Sequence, residues 1–251
     1  MRAVIASILL DLSLAAAAVG AICLVRPLAF LGVHRRGAGA VLFAAALAAA
    51  TLIALWPAST LRSDGHQAID RFLPSYNFHE LHQTRVHASP EAVYRATLEV
   101  TADEIRWLKP LLAIRQFPAS LRKRLGRDSA RPILEIATKS SFFYLAREPS
   151  KEIVVGTVGR FWTSDGGRSP GIRGPEEFLA FKDQNFARVA MNFTIEDAAG
   201  GFSLLTTETR IFAPEGAPRR RFAAYWRLIY PGSSLIRVGW LEGIRKRAEA
   251  G

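Results

Sequence analysis

Residues 186–196 read Phe-Ala-Arg-Val-Ala-Met-Asn-Phe-Thr-Ile-Glu, the cleanest period-two alternation in the chain. Ala187, Val189, Met191, Phe193 and Ile195 fall on one side, and Arg188, Asn192, Thr194 and Glu196 on the other. Successive side chains of a strand point to opposite faces, so this pattern specifies a strand with one buried face. Ala199-Gly200-Gly201 then turns the chain into a second strand over 202–212, which makes the pair antiparallel.

Working outward, Phe142 to Arg147, the turn Glu148-Pro149-Ser150-Lys151 and Glu152 to Trp162 predict a second hairpin, and Tyr76 to Ala88 has strand character. Ser89-Pro90-Glu91 is a helix start, with Ser as cap and Pro where its missing N–H is harmless. Thr101 and Glu104 form a capping-box pair, and Ile105, Leu108, Leu111 and Leu112 recur at helical spacing, so a helix is expected from about Ala102 to Gln116. Pro118 to Ser140 is poorly patterned, and Gly166 to Pro175 reads as loop. Past Gly216, Phe222, Tyr225, Trp226 and Ile229 are spaced as on a helix. Pro231-Gly232 is expected to interrupt it before a further helix, Ser233 to Ala248, that presents Ile236, Trp240 and Ile244. The fold class is α+β.

This order of elements, with Ser89-Pro90-Glu91-Ala92-Val93-Tyr94 opening the first helix, resembles the START-like (SRPBCC) superfamily. That helix-grip group includes Bet v 1-like proteins, lipid-transfer domains and polyketide cyclases or aromatases. The resemblance covers about Asn77 to Ala250. It implies a curved antiparallel sheet around a long C-terminal helix, with an apolar cavity between them. The chain departs from the family twice. Six strands can be placed where the family has seven, which leaves Gly166 to Phe181 open, and Pro231-Gly232 falls in a helix that is usually continuous.

Two apolar stretches precede the domain, Ala3 to Val25 and Ala38 to Trp56. At about 1.5 Å per residue, both have the length to cross a hydrocarbon core of roughly 30 Å. A secretory signal and a buried soluble hairpin are the rival readings. The first run exceeds the usual signal core of roughly 7–15 residues, and both runs are apolar all round. The expected organisation is a membrane anchor over 1–60, a linker over 61–75 and the START-like domain over 76–251, in a multi-pass protein of the cell membrane. Small residues such as Ala16 and Gly20 favour a tight antiparallel pair, with Asp11 protonated or bonded to Thr51. Arg26, Arg35 and Arg36 lie between the spans against Arg2 before them, which places the connection in the cytoplasm and the large domain outside.

The chain carries a formal charge of +11. The first sixty residues hold four Arg and one Asp, which leaves +8 on the rest, thickest at Arg122-Lys123-Arg124, Arg219-Arg220-Arg221 and Arg245-Lys246-Arg247. For a tethered domain the matching partner is the acidic headgroup layer, and no nucleic-acid-binding motif accompanies the charge. Cys23, the only cysteine, lies within a span, so the domain has neither disulfides nor a thiol nucleophile.

Catalytic motifs are lacking: no serine sits in a nucleophile elbow, and Gly156-Thr157-Val158-Gly159 lacks the Lys-Ser/Thr of a phosphate loop. His79 and His87 share a strand face about 26 Å apart while His82 points away, so the trio does not converge on a metal. No cofactor is implied. Glu208 and Arg210 share a strand face about 7 Å apart. On an inner face, Arg210 or Arg160 would hold the polar head of an apolar ligand; on an outer face they would be solvated charges. Trp162, Val189, Met191, Phe193, Tyr225 and Trp226 complete the candidate lining, as core or as ligand contacts. The expected function is non-enzymatic binding of a hydrophobic small molecule or lipid. The alternative is a cyclase, aromatase or dehydratase with Glu208 as its acid, which both side chains on the outer face would discard.

Overall fold

A computed structural model describes residues 2–63, 65–114, 128–163 and 169–251. The chain divides into two compact units, one formed by Met1–Ala58 with Arg220–Pro231 and the other by Ser59–Arg219 with Gly232–Gly251.

In the first unit, α1 (Arg2–Val25) and α2 (Arg36–Leu55) are apolar and each long enough to span a membrane. They pack antiparallel at very short range. A Cβ on Gly20 would lie 2.6 Å from the Phe43 amide nitrogen, and one on Gly39 would lie 2.7 Å from the Cys23 Cβ. Only glycine permits that approach. The hydroxyl of Thr51 donates to the Leu47 carbonyl one turn back.

The second unit is built on a five-stranded antiparallel sheet made of β3 (Phe78–Val86), β4 (Phe143–Glu148), β5 (Glu152–Gly159), β6 (Ala187–Ala198) and β7 (Phe202–Phe212). The strands lie in the order β3-β7-β6-β5-β4. Met191, Phe193 and Ile195 of β6 point into one core with Ile153, Val155 and Leu205. Trp240, Leu241 and Ile244 of the C-terminal helix close that core, with the Trp240 ring 5.2 Å from Phe193. Helix α3 (Pro90–Glu99) adds Val93 and Ala96, and its Ser89 cap accepts from the Ala92 amide as expected.

The opposite sheet face is covered as well. Residues 61–75, read as a linker, contribute β1 (Leu61–Arg62), a 3-10 turn over Ala68–Arg71 and the start of β2 (Ser75–Tyr76). Ala68, Ile69, Phe72, Leu73 and Tyr76 pack there with Val154, Val158 and Ala190. Seven strands are thus present among the described residues, five in the main sheet and β1 with β2 in a separate pair.

Three helical expectations are corrected. Residues 102–107 form turns and α4 begins only at Leu108 (Leu108–Ile114), so Thr101 and Glu104 cap no helix, although Glu104 Oε2 accepts from the Thr101 amide at 2.8 Å and from its hydroxyl at 2.7 Å. Gly239 and Gly243 bring the C-terminal helix against the carbonyls of Arg106 and Glu104, and Trp107 takes a positive φ of 68°, a conformation a right-handed helix does not admit. Residues 115–127, the end of that predicted helix and the first part of the patternless stretch, lie outside the described residues. Two short helices, α5 (Ile133–Thr138) and α6 (Pro175–Ala180), occupy segments read as patternless and as open.

The third correction is larger. The C-terminal helix α7 runs unbroken from Ala217 to Glu249 with Pro231 inside it. A proline removes one N–H and crowds the carbonyl four residues back, yet packing on both sides outweighs that loss. Phe222, Trp226 and Arg227 are buried before it, and Trp240, Leu241 and Ile244 after it.

Candidate functional site

Side chains alternate across the sheet, so its polar residues separate into two sets, one on each face. Glu208 and Arg210 stand on the face turned away from Met191 and Phe193, since Glu208 pairs with Asn192 and Arg210 with Ala190 in the β6–β7 register. They are nevertheless buried, because residues 68–76 lie over them. Arg210 donates from Nε to Glu208 Oε1 at 2.6 Å and from Nη2 to Oε2 at 2.9 Å, and its Nη1 reaches Asp70. The Tyr76 ring lies 5.0 Å from the guanidinium carbon, and His79 Nε2 approaches Glu208 Oε1 at 2.8 Å.

A second carboxylate anchors the same layer. Glu152 accepts from the amides of Ala68 and Ile69 at 2.7 and 3.2 Å and from the Asn192 side chain at 2.7 Å. The Asn192 oxygen in turn accepts from the Glu208 amide at 3.0 Å. Burial raises the Glu208 pKa, but hydrogen bonds from His79 and Arg210 outweigh it and hold the carboxyl below its ordinary range. Asp70 shows the same balance, with Ser63, Arg210 and the Gln67 amide outweighing burial. Burial lowers the Arg210 pKa, and its two carboxylates more than reverse that, so the ion cluster stays charged. Both readings offered for Glu208 and Arg210 are therefore replaced: the pair is neither a ligand clamp on the inner face nor a solvated surface pair. It rivets residues 63–73 to the sheet.

The inner face carries a different set. Glu80 of β3, 2% exposed, accepts from Ser233 Oγ at 2.8 Å through Oε2 and lies 3.0 Å from His82 Nε2 through Oε1. Ser234 Oγ is 3.3 Å from the same imidazole nitrogen. Opposite Glu80 in register is Thr209, which in turn faces Met191. Among the described residues, buried Thr209 Oγ1 has no hydrogen-bond partner, and neither has the buried indole nitrogen of Trp240, whose ring packs on Phe193. A carboxylate, an imidazole and two hydroxyls thus converge at the edge of an apolar core. Such a group can accept hydrogen bonds from a polar ligand head or exchange a proton with it.

The remaining predicted residues are distributed between the units. Met191 and Phe193 lie in the inner core, and Val189 is half-buried beside them on β6. Arg160 follows β5, stacks on Phe186 at 4.7 Å and keeps a buried Nε without a partner among the described residues. Trp162 is half-buried in the turn after it. Tyr225 and Trp226 belong to the first unit, whereas the inner set belongs to the second. Of the three histidines, His79 and His82 lie on opposite faces, and His87 packs on Phe202 at 4.7 Å.

Sequence inspection passed over Glu80, Ser233, Ser234 and Thr209. Their signal was present in part: Glu80 shares a strand face with His82, which was weighed only within the histidine trio for metal binding.

Comparison with known proteins adds little to this geometry. No family model and no curated protein matches the chain. A search of solved structures returns the crystal structure of TTHA0849 from Thermus thermophilus, at 15% identity, covering 69% of this chain and 98% of that one with a TM-score of 0.29.

Proposed function

We propose that the protein is a membrane-anchored binder of a hydrophobic small molecule or lipid. The second unit acts as a helix-grip module, with the ligand between the inner sheet face and the C-terminal helix. The observation that carries this reading is the pair of buried polar atoms without a hydrogen-bond partner among the described residues, Thr209 Oγ1 on the sheet face that also holds Glu80 and Trp240 Nε1 on the helix packed against it. Buried polar groups are nearly always satisfied, and a bound molecule with one polar end supplies the missing partners. The two apolar helices support a location in the cell membrane, which supplies apolar ligands at high local concentration.

Native mass spectrometry with lipidomics on the detergent-extracted full chain tests this. A defined bound molecule is expected, displaced by Met191→Trp and weakened by Thr209→Val. A chain that retains no defined molecule, or retains it equally in both variants, rules the reading out.

A second reading is favoured by the Glu80–His82 contact of 3.0 Å. Cyclase-, aromatase- or dehydratase-like chemistry would use these groups rather than Glu208, which is on the other face. Glu80→Gln that retains the bound molecule but loses its conversion would select this reading.

A further inference from the structure

Residues 220–231 belong to the unit that contains the two apolar helices, although 164 residues separate Trp56 from Arg221 along the chain. What joins them is specific. Arg227, 7% exposed, donates from Nη1 to the Ala54 carbonyl and from Nη2 to the Trp56 carbonyl, each at 2.7 Å. These carbonyls lie at and just past the C-terminal end of α2, where a helix leaves acceptors without partners and favours a cation. The guanidinium therefore seals the point at which the second apolar helix ends.

The composition on either side of Arg227 is that of a membrane–water boundary. Tyr225, Trp226 and Tyr230 accompany Trp56, and the Trp226 ring packs between Phe222 and Tyr230, with centroids at 6.0 and 5.8 Å. Tyr and Trp concentrate at the headgroup level, where one end of the ring is apolar and the other wet. Leu52, Leu55 and Trp56 of the α2 end are exposed at 71, 55 and 68%, and Leu228 at 56%. Apolar groups left open in this way fit lipid rather than water.

The charges sort by position. Arg219 is engaged, donating from Nε to the Ala213 carbonyl at 3.0 Å. Arg220 and Arg221 are exposed, whereas Phe222, Ala223, Trp226 and Arg227 further along the helix are buried. They precede the α2 seal by about two turns, roughly 10 Å along the helix axis.

We propose that residues 220–231 form a third membrane-contacting element of the hairpin unit, lying at the interface with Arg220 and Arg221 bound to acidic phospholipid headgroups. This does not depend on the ligand assigned to the inner sheet face. Two arginines near an anionic surface each strengthen attraction about five-fold, so together they enrich acidic lipid about 25-fold.

The test uses the full chain in nanodiscs of phosphatidylcholine with one-fifth phosphatidylglycerol, re-extracted and analysed for retained lipid. The native chain is expected to enrich phosphatidylglycerol. Arg220→Gln/Arg221→Gln should abolish most of the enrichment, Arg220→Lys/Arg221→Lys should keep it, and Arg219→Gln should leave it unchanged. Circular dichroism establishes that each variant is folded. Equal retention of both lipids by the native chain overturns the proposal. So does enrichment that survives Arg220→Gln/Arg221→Gln but is lost in Arg35→Gln/Arg36→Gln at the far end of the hairpin. Binding of an acidic peptide or nucleic acid through Arg220 and Arg221 without lipid enrichment overturns it equally.

Discussion

Arg210 holds both carboxylate oxygens of Glu208 in a two-point contact, two residues apart on one strand and on a sheet face that a covering segment seals from water. The same guanidinium reaches Asp70, so a residue near the start of the second unit is tied to its last strand. Removing charges from such a cluster is more harmful than replacing all of them, because the partners left behind stay buried and unpaired.

Arg210→Met should destabilise the sheet unit by about 3–5 kcal/mol, since it strands both Glu208 and Asp70. Arg210→Met combined with Glu208→Leu and Asp70→Asn should recover much of that loss. Urea unfolding in detergent, followed by near-ultraviolet circular dichroism, measures both.

Acid should loosen the same cluster. Glu208 and Asp70 are held below their ordinary values of 4.5 and 3.8, so the unfolded chain binds more protons than the folded one across that range. The stabilisation is complete above about pH 5.5 and is lost as the pH falls through the ordinary values towards the depressed folded ones. Melting temperature against pH should therefore drop below about pH 4.5, and the drop should shrink in Glu208→Gln. A melting curve equally steep in that variant would remove Glu208 as its source.

Gly20→Ala should loosen the hairpin by about 1–3 kcal/mol, because the new methyl meets the Phe43 backbone and only a shift of a whole helix relieves it. Gly37→Ala, with open space around its Cβ position, should be neutral or stabilising by up to about 1 kcal/mol. Denaturation of the full chain in mixed micelles with rising dodecyl sulfate compares the two.

Most of the sheet was legible because its signals are local. The alternation over residues 186–196, the Gly200-Gly201 turn and the Ser89 cap each depend on a few neighbouring residues, and each forms where expected. What escaped depends on contacts distant in sequence. Residues 61–75 contain Ser63, Gly65 and Pro74 and look like a linker, yet Ile69 and Leu73 are fully buried. Their spacing carried that information, but only the presence of a second sheet face gives it meaning. The unbroken helix through Pro231 is a similar case, since no local rule weighs Arg227 and Trp240 against a proline. The inner polar set was missed because Ser233 and Glu80 meet only in three dimensions, 153 residues apart in the chain.

The pairing of β3 with β7 has a consequence for how the protein is made. Phe78 lies opposite Ile211, so β3 leaves the ribosome about 130 residues before β7, its only strand partner among the described residues. At roughly 5–20 residues per second, β3 waits on the order of ten seconds with its backbone unmet. Over that interval Leu81, Gln83 and Arg85 interleave with Glu80, His82 and Thr84, a mixed polar pattern that makes a poor template for strands of other chains. The first strand of the main sheet, which stays unpaired while about half of the chain is made, is kept solvent-tolerant by the same residues, Glu80 and His82, that end up inside.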